Sequence, residues 1–259
     1  MMRSVRAVWS ARELLMSFVR RDLTVRYRHA LLGLSWAVFT PVLQVVIFTL
    51  IFSRVARIQT DVPYPVYAFC GLTAWTFTAS ALRSALSSLS GNAFLVSKVA
   101  FRREVLPLAS VMVAAVDFAV SLAVVFAVML YYGIPVRASA VLLPVIFVVQ
   151  FIFVTGLALV LSAANLLWHD VRYVFDVGIT LWMFASSVLY PVPRFHGGMG
   201  AVFALNPMTP IIDAYRDILL RGTSPTLASA LVTTGGVLVT FLVGLLLFQR
   251  AEPRFAEVA

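Results

Sequence analysis

The sequence predicts an all-α integral membrane protein. It has six transmembrane helices, an N-terminal amphipathic interface helix, and short re-entrant helices on the outer side before the last span. Three observations predict this. Of the 259 residues, 61% are hydrophobic and only 12% charged, whereas soluble domains carry roughly 25% charged residues. The chain therefore has too little polar surface to cover a soluble globule. Six apolar runs approach the ~20 residues with which a helix crosses a bilayer, where every backbone polar group must be paired internally. The basic residues fall between those runs, which assigns the net charge of +9 to the membrane surface. A pI near 10.4 would otherwise suggest nucleic acid, but that needs a soluble domain to display a basic patch. Composition thus excludes a cytosolic enzyme, a disordered tail and a small secreted scaffold. Cys70 is the single cysteine, so there is no internal disulfide.

The interface helix occupies residues 1–32. Ser10-Ala11-Arg12-Glu13 fits a capping box, and Trp9 and Leu14 stand where a hydrophobic staple would place them. Leu15, Phe18, Val19 and Leu23 recur at helical spacing among Arg12, Arg20, Arg21, Arg26 and Arg28. A basic amphipathic helix of this kind lies in the headgroup region with its apolar face down. It serves either as a positive-inside anchor alone or also as a contact for a cytoplasmic partner. No arginine-free apolar run followed by a small-residue cleavage site occurs in the first 30 residues, so no cleavable signal peptide is expected.

The six-helix domain spans residues 33–250, with a cytoplasmic tail at 251–259. Its spans run Leu34 to Phe52, about Tyr64 to Leu89, Leu106 to Tyr131, Val141 to Trp168, about Val174 to Leu189, and Leu227 to Phe248. The second is the weakest, with many Ser and Thr residues and Arg83 near its end. With the N-terminus inside, 13 of the 20 basic residues fall in inner segments and 6 in outer ones. That imbalance places both termini in the cytoplasm. The outer segment at about 190–225 starts Pro-rich and contains Gly197-Gly198-Met199-Gly200. It is long for a simple connection, and its run from Pro207 to Leu220 reads as short helices dipping back into the membrane.

Four stretches carry a more specific pattern. The inner loop at about 90–105 reads Asn92-Ala93-Phe94-Leu95-Val96-Ser97-Lys98-Val99-Ala100-Phe101-Arg102-Arg103-Glu104-Val105-Leu106-Pro107-Leu108. Arg21-Asp22 and Arg26-Tyr27-Arg28 precede Leu32-Gly33-Leu34-Ser35-Trp36 and Pro41. The second inner loop, about 168–173, holds Trp168-His169-Asp170-Val171-Arg172. Leu189-Tyr190-Pro191 is followed by Leu205-Asn206-Pro207-Met208 and Ile212-Asp213-Ala214-Tyr215-Arg216-Asp217. In order and placement these resemble ABC-2 type permeases that export bacterial polysaccharides. Two positions depart: Arg102 stands where the family's loop has proline, and His169 where it has arginine, so neither inherits a fixed role.

The resemblance implies a half-transporter in the bacterial inner membrane. Two copies form the path and two separate ATP-binding subunits dock beneath. It implies ATP-driven export of a lipid-linked polysaccharide, with O-antigen on a polyprenyl diphosphate first, capsule or teichoic acid next, and a small lipid or drug as the rival cargo. ATP and Mg2+ would bind the partner. The sequence agrees that this chain is not the ATPase, because Lys98 is its only lysine, followed by valine and without a glycine-rich lead-in.

Site expectations follow from that family shape. Phe94, Leu95, Lys98, Phe101, Arg103 and Glu104, with Asp170 and Arg172 on the second loop, would couple to the ATPase. The apolar members would act as buried anchors and Lys98, Arg103 and Glu104 as polar pairs; the plain alternative is a loop dipping into lipid. Arg20, Arg21, Asp22, Arg26 and Arg28 belong to the interface helix, where Arg26 and Arg28 suit headgroup phosphates. Asp117 falls within the third span, where an unpaired ionised Asp costs roughly 2.5–3.5 kcal/mol. It is either a polar point on the path or a protonated or paired group holding spans together, with Arg83 as its expected ion partner. Ala115, Ala119, Ala123 and Ala127 form a small-residue packing seam, roughly 200° around the helix from Asp117. Trp36, Phe39, Phe48 and Phe52 are channel candidates that could stack on sugar faces, against lipid or core packing as the alternative. Tyr190, Pro191, Asn206, Pro207, Asp213 and Arg216 would form an outer gate. Asp213, Arg216 and Asp217 sit at i, i+3 and i+4, so ion pairing along one helix face is the simpler account.

Other classes fit poorly. With three histidines (His29, His169 and His196), no H-E-x-x-H and no G-x-S-x-G, neither a metal cluster nor a catalytic set is in view. A proton-driven carrier would show internal repeats and more intramembrane carboxylates than Asp117 and Asp176.

Overall fold

The computed structural model describes residues 12–28, 35–51, 60–99, 101–191 and 206–255. Among them all regular structure is helical. The α-helices are α1 (Arg12–Arg28), α2 (Ser35–Thr49), α3 (Tyr64–Leu86), α4 (Ala93–Lys98), α5 (Val105–Tyr131), α6 (Leu143–Leu167), α7 (Val171–Phe184), α8 (Met208–Arg216) and α9 (Leu227–Ala251). Among the described residues, three stretches are long and apolar enough to cross a membrane: Val105–Tyr131, Ala138–Leu167 and Leu227–Arg254. The expected capping box at Ser10 lies outside the described residues.

The second expected span, weakest in apolar content, is the central helix. α3 packs against α5, α6, α2 and α8, and Val66, Phe69, Leu72, Ala74, Phe77, Ala81, Leu82 and Ala85 are all buried. A helix enclosed by protein need not be apolar enough to face lipid, and small residues allow close approach. Its Ser and Thr residues therefore do not weaken it. Two buried polar side chains on α6 fix the α3–α6 register. Gln150 donates to Ala74 O at 2.7 Å and to Thr78 Oγ1 at 2.9 Å. Asn165 donates to Leu86 O at 2.9 Å.

α6 and α9 meet through glycines. A Cβ on Gly156 would come within 2.6 Å of Phe241 Cα, and one on Gly244 would strike the Gly156 carbonyl. The backbones touch there, which only glycine permits. The alanine seam expected on α5 is not the packing face. Ala119, Ala123 and Ala127 are exposed, while Ala114, Phe118, Ser121, Val125 and Met129 are buried. The larger side chains interdigitate with α3 and α6, and volume displaced from water or lipid wins over closeness.

α1 also departs from expectation. Phe18 and Val19 are buried, with Leu15 and Leu23 packed beside them, in a cluster that includes Val96, Val105, Leu106, Leu166, Phe248 and Phe255. Its apolar face covers the N-terminal end of α5 and the C-terminal ends of α6 and α9.

Candidate functional site

At its C-terminal end, α3 passes through a 3-10 turn, Ser90–Asn92, into the short α4. Asn92 closes the turn by donating to Ser88 O at 2.8 Å, and Arg21 of α1 donates to Asn92 Oδ1 at 3.1 Å. The coupling candidates divide by direction. Phe94 is 72% exposed, and Lys98 and Arg102 are exposed as well. Leu95 and Phe101 are half-buried, Phe101 lying 6.2 Å from the Phe18 ring. Arg103 turns inward. Its Nε and Nη2 donate to Val96 O at 3.2 and 3.0 Å, and Nη1 donates to Glu252 O at 3.3 Å. Arg103 therefore braces α4 against the turn after α9, and is not displayed as a polar anchor. Glu104 is buried, and its carboxylate has no hydrogen-bond partner among the described residues. Asp170 and Arg172 are exposed at the α6–α7 turn.

On α1, Arg20 is exposed. Arg21 pairs with Asp22 at 2.9 Å and stacks 4.8 Å above the Phe18 ring. Arg26 reaches across to Asp117 at 2.6 Å, and Tyr27 donates its hydroxyl to the same carboxylate. Burial and that hydrogen bond push the Tyr27 phenol up to about 12, so it stays a donor. The Arg28 side chain lies outside the described residues. The expected pairing of Asp117 with Arg83 is thus corrected. The approach of α1 to α5 supplies Arg26 first, and Arg83 instead faces Asp176 of α7 at 3.6 Å.

Near the N-terminal end of α3, Arg216 of α8 is 1% exposed. It donates to the carbonyls of Ser187 and Val188, the latter at 2.7 Å, and lies 3.6 Å over the Tyr67 ring of α3. Asp213 is 3.3 Å away. Gly71 makes room: a Cβ there would come within 2.6 Å of Val188 O and collide with the guanidinium. The same turn is held by Tyr64, donating to Leu189 O at 2.9 Å, and by Tyr190, donating to Phe184 O. Asn206 takes Trp182 Nε1 at 3.0 Å and donates to Ala185 O at 2.9 Å. Pro207 precedes α8 and Pro191 is exposed. Four of the six expected gate residues (Tyr190, Asn206, Asp213 and Arg216) therefore converge on one turn, residues 185–190. Asp217 does not join them; it pairs with Arg221 at 2.7 Å. A groove of about 380 Å³ beside α8 has Asp213, Asp217, Thr226 and Ser229 among its lining.

Comparison with known proteins adds the ancestry of this geometry. The ABC-2 type transporter family model matches residues 13–220. The chain belongs to the ABC-2 type transporter family. It is 31% identical over 247 residues to an O-antigen export system permease protein RfbA of Klebsiella pneumoniae, covering 95% of each chain. It is 31% identical over 260 residues to the protein of that name from Myxococcus xanthus, covering 99% of each. A second Klebsiella pneumoniae protein of that name is 30% identical over 248 residues. Membership makes this ABC-2 chain a membrane transporter component rather than an enzyme.

The aromatic channel candidates fall on α2 or beyond. Phe39 is 45% exposed, the side chains of Trp36 and Phe48 lie outside the described residues, and Phe52 lies outside them entirely. The rings that do cluster are elsewhere in this ABC-2 chain. Phe118 stacks on Phe147 at 4.9 Å, Phe77 is 5.5 Å from Phe118, and Tyr215 is 5.9 Å from it. They are core. Tyr67 and Arg221 carry no sequence motif that marks them as functional, and Tyr27 stands in one only as part of Arg26-Tyr27-Arg28. Arg221 joins Asp61 at 2.6 Å and Asp217, and its hydrogen bond holds the Asp61 carboxyl below the usual range. The i, i+4 spacing to Asp217 was the readable signal; the contact with Asp61, across 160 residues, was not.

Proposed function

We propose that this chain is the membrane subunit of an ATP-driven exporter that carries a lipid-linked polysaccharide, of the O-antigen type, from the cytoplasm to the outer face of the inner membrane. The observation that carries this reading is the match along nearly the whole chain to permeases named for O-antigen export. Two copies form the path. Two ATPase subunits bind ATP and Mg2+ and dock against the inner loops. Helices α2, α3, α5, α6, α7 and α9 are the six spans, both termini are cytoplasmic, and the outer segment around α8 is the gate. The direction of Phe94 supports α4 as the docking element: an aromatic side chain displayed at a surface is of the type that interfaces enrich. Rigid-body movement of the ATPase would pass through α4 to α3 and α5, since Arg103 fixes α4 to the body of the chain.

The test is co-expression with the cognate ATPase in a strain lacking the permease. Phe94→Ala should lower ATPase copurification and surface polysaccharide by about tenfold, the scale of a hot-spot truncation. Lipid-linked glycan should accumulate on the cytoplasmic side. Unchanged copurification and display would remove α4 from the docking role. If the wild-type chain failed to restore display, the cargo would not be this polymer.

A further inference from the structure

Between the inner ends of α3, α6 and α7 lies a cavity of about 490 Å³, within the ~300–1,000 Å³ of small-molecule sites. Its lining is mixed, with Leu86 and Tyr173 beside polar groups: Arg83, Ser87 and Ser90 from α3 and its turn, and His169, Arg172 and Asp176 from the α6–α7 turn and the start of α7. Two guanidiniums stand against one carboxylate, and the α7 N-terminus adds the positive end of its dipole. The guanidinium of Arg172 has no ion-pair or hydrogen-bond partner among the described residues. Arg83 and Asp176 approach only to 3.6 Å, with side chains 60% and 52% exposed. That is longer than a closed charge-assisted hydrogen bond, at ~2.7–2.9 Å, and an exposed pair of this kind is weak. Both arginines are therefore available to a stronger anion.

Depth gives a second constraint. Arg83 lies three residues before the inner end of α3, and Asp176 five residues into α7. At 1.5 Å per residue the cavity spans roughly the first turn or two from the inner surface. That is where the phosphates of a lipid in the cytoplasmic leaflet reside. Arginine forks match phosphate oxygens two at a time, and the Ser87 and Ser90 hydroxyls add neutral donors.

We propose that this cavity binds the diphosphate of the lipid-linked substrate. Arg172 and Arg83 grip the phosphate oxygens, and Asp176 is the internal anion that the diphosphate displaces from Arg83. The assignment rests on the export reading above. It deepens that reading, because Arg172 lies on the second inner loop, so cargo and ATPase would meet on one short segment.

The full-length permease, assembled with its ATPase subunits in phosphatidylcholine nanodiscs, is titrated with farnesyl diphosphate, and surface glycan is followed in cells. Arg172→Gln and Arg83→Gln should each weaken farnesyl diphosphate binding by about tenfold or more, as loss of a charge-assisted contact does. Asp176→Asn should keep or tighten it, which a merely structural pair would not. Unchanged binding in both arginine variants overturns the site while leaving export intact. So does equal weakening by Asp176→Asn, or displacement by phosphatidylglycerol at the same mole fraction, which would mark a bulk-lipid headgroup site. Loss of ATPase copurification in Arg172→Gln with undiminished farnesyl diphosphate binding would make the cavity a protein socket and also overturn it. Conversely, arginine-dependent binding in a permease that fails to restore glycan display retires the cargo and keeps the site.

Discussion

Asp117 and Arg216 both hold a charge within the helix packing, and they solve the problem differently. Asp117 sits in the middle of an apolar helix and borrows its cation from α1, at 2.6 Å from Arg26. Arg216 is buried with carbonyl oxygens, an aromatic face and Asp213 around it. A point charge cannot replace a planar fork that spans two carbonyls. Arg216→Lys is therefore expected to destabilise the chain by about 2–4 kcal/mol, between losing a charged hydrogen bond and breaking a buried pair. It should be read as a lowered thermal midpoint in detergent. Arg26→Ala should cost more than Asp117→Asn, because it strands a carboxylate that the amide change neutralises. A double-mutant cycle giving no coupling between the two positions would dissolve the pair.

Among elements, α1 and the α6–α9 crossing show how far periodicity reaches. The spacing of Leu15, Phe18, Val19 and Leu23 marked α1 as amphipathic, and the same four side chains do form its apolar face. What covers that face could not be read, because lipid and protein are equally apolar to a hydrophobic stripe. The Gly156–Gly244 contact was equally silent, since glycine in a helix signals close approach only once the partner is known. Gly244→Val should push α9 from α6 and lower stability by about 1–3 kcal/mol, the range of overpacking. Gly178, with nothing near its Cβ position, should accept alanine without loss in the same thermal assay.

For the whole molecule, the charge asymmetry and the six apolar runs make one topological prediction. In intact spheroplasts, an impermeant maleimide should label Val136→Cys, on the outer connection, and leave Phe94→Cys untouched until the membrane is opened. Both positions are exposed. Cys70 is buried and should give no background. Labelling of Phe94→Cys from outside would invert the chain and dismantle the docking role of α4.

The sequence by itself determined the membrane class and the family, and it raised the expectation of a separate ATPase. These depend on composition, ordered motifs and a lone lysine, all local quantities. It also marked the residues of the outer turn, because proline, asparagine and arginine there break the apolar pattern. Only the tertiary structure decided who pairs with whom. Asp117 met Arg26 instead of Arg83, Arg103 turned inward, and Arg83 and Arg172 came to share one cavity with Asp176. Apart from the bonds of Arg103 to nearby Val96, those contacts join helices far apart in the chain, and their distances follow from how the helices pack. Helical spacing orders a single element; it carries no information about the rotation and depth of its neighbour.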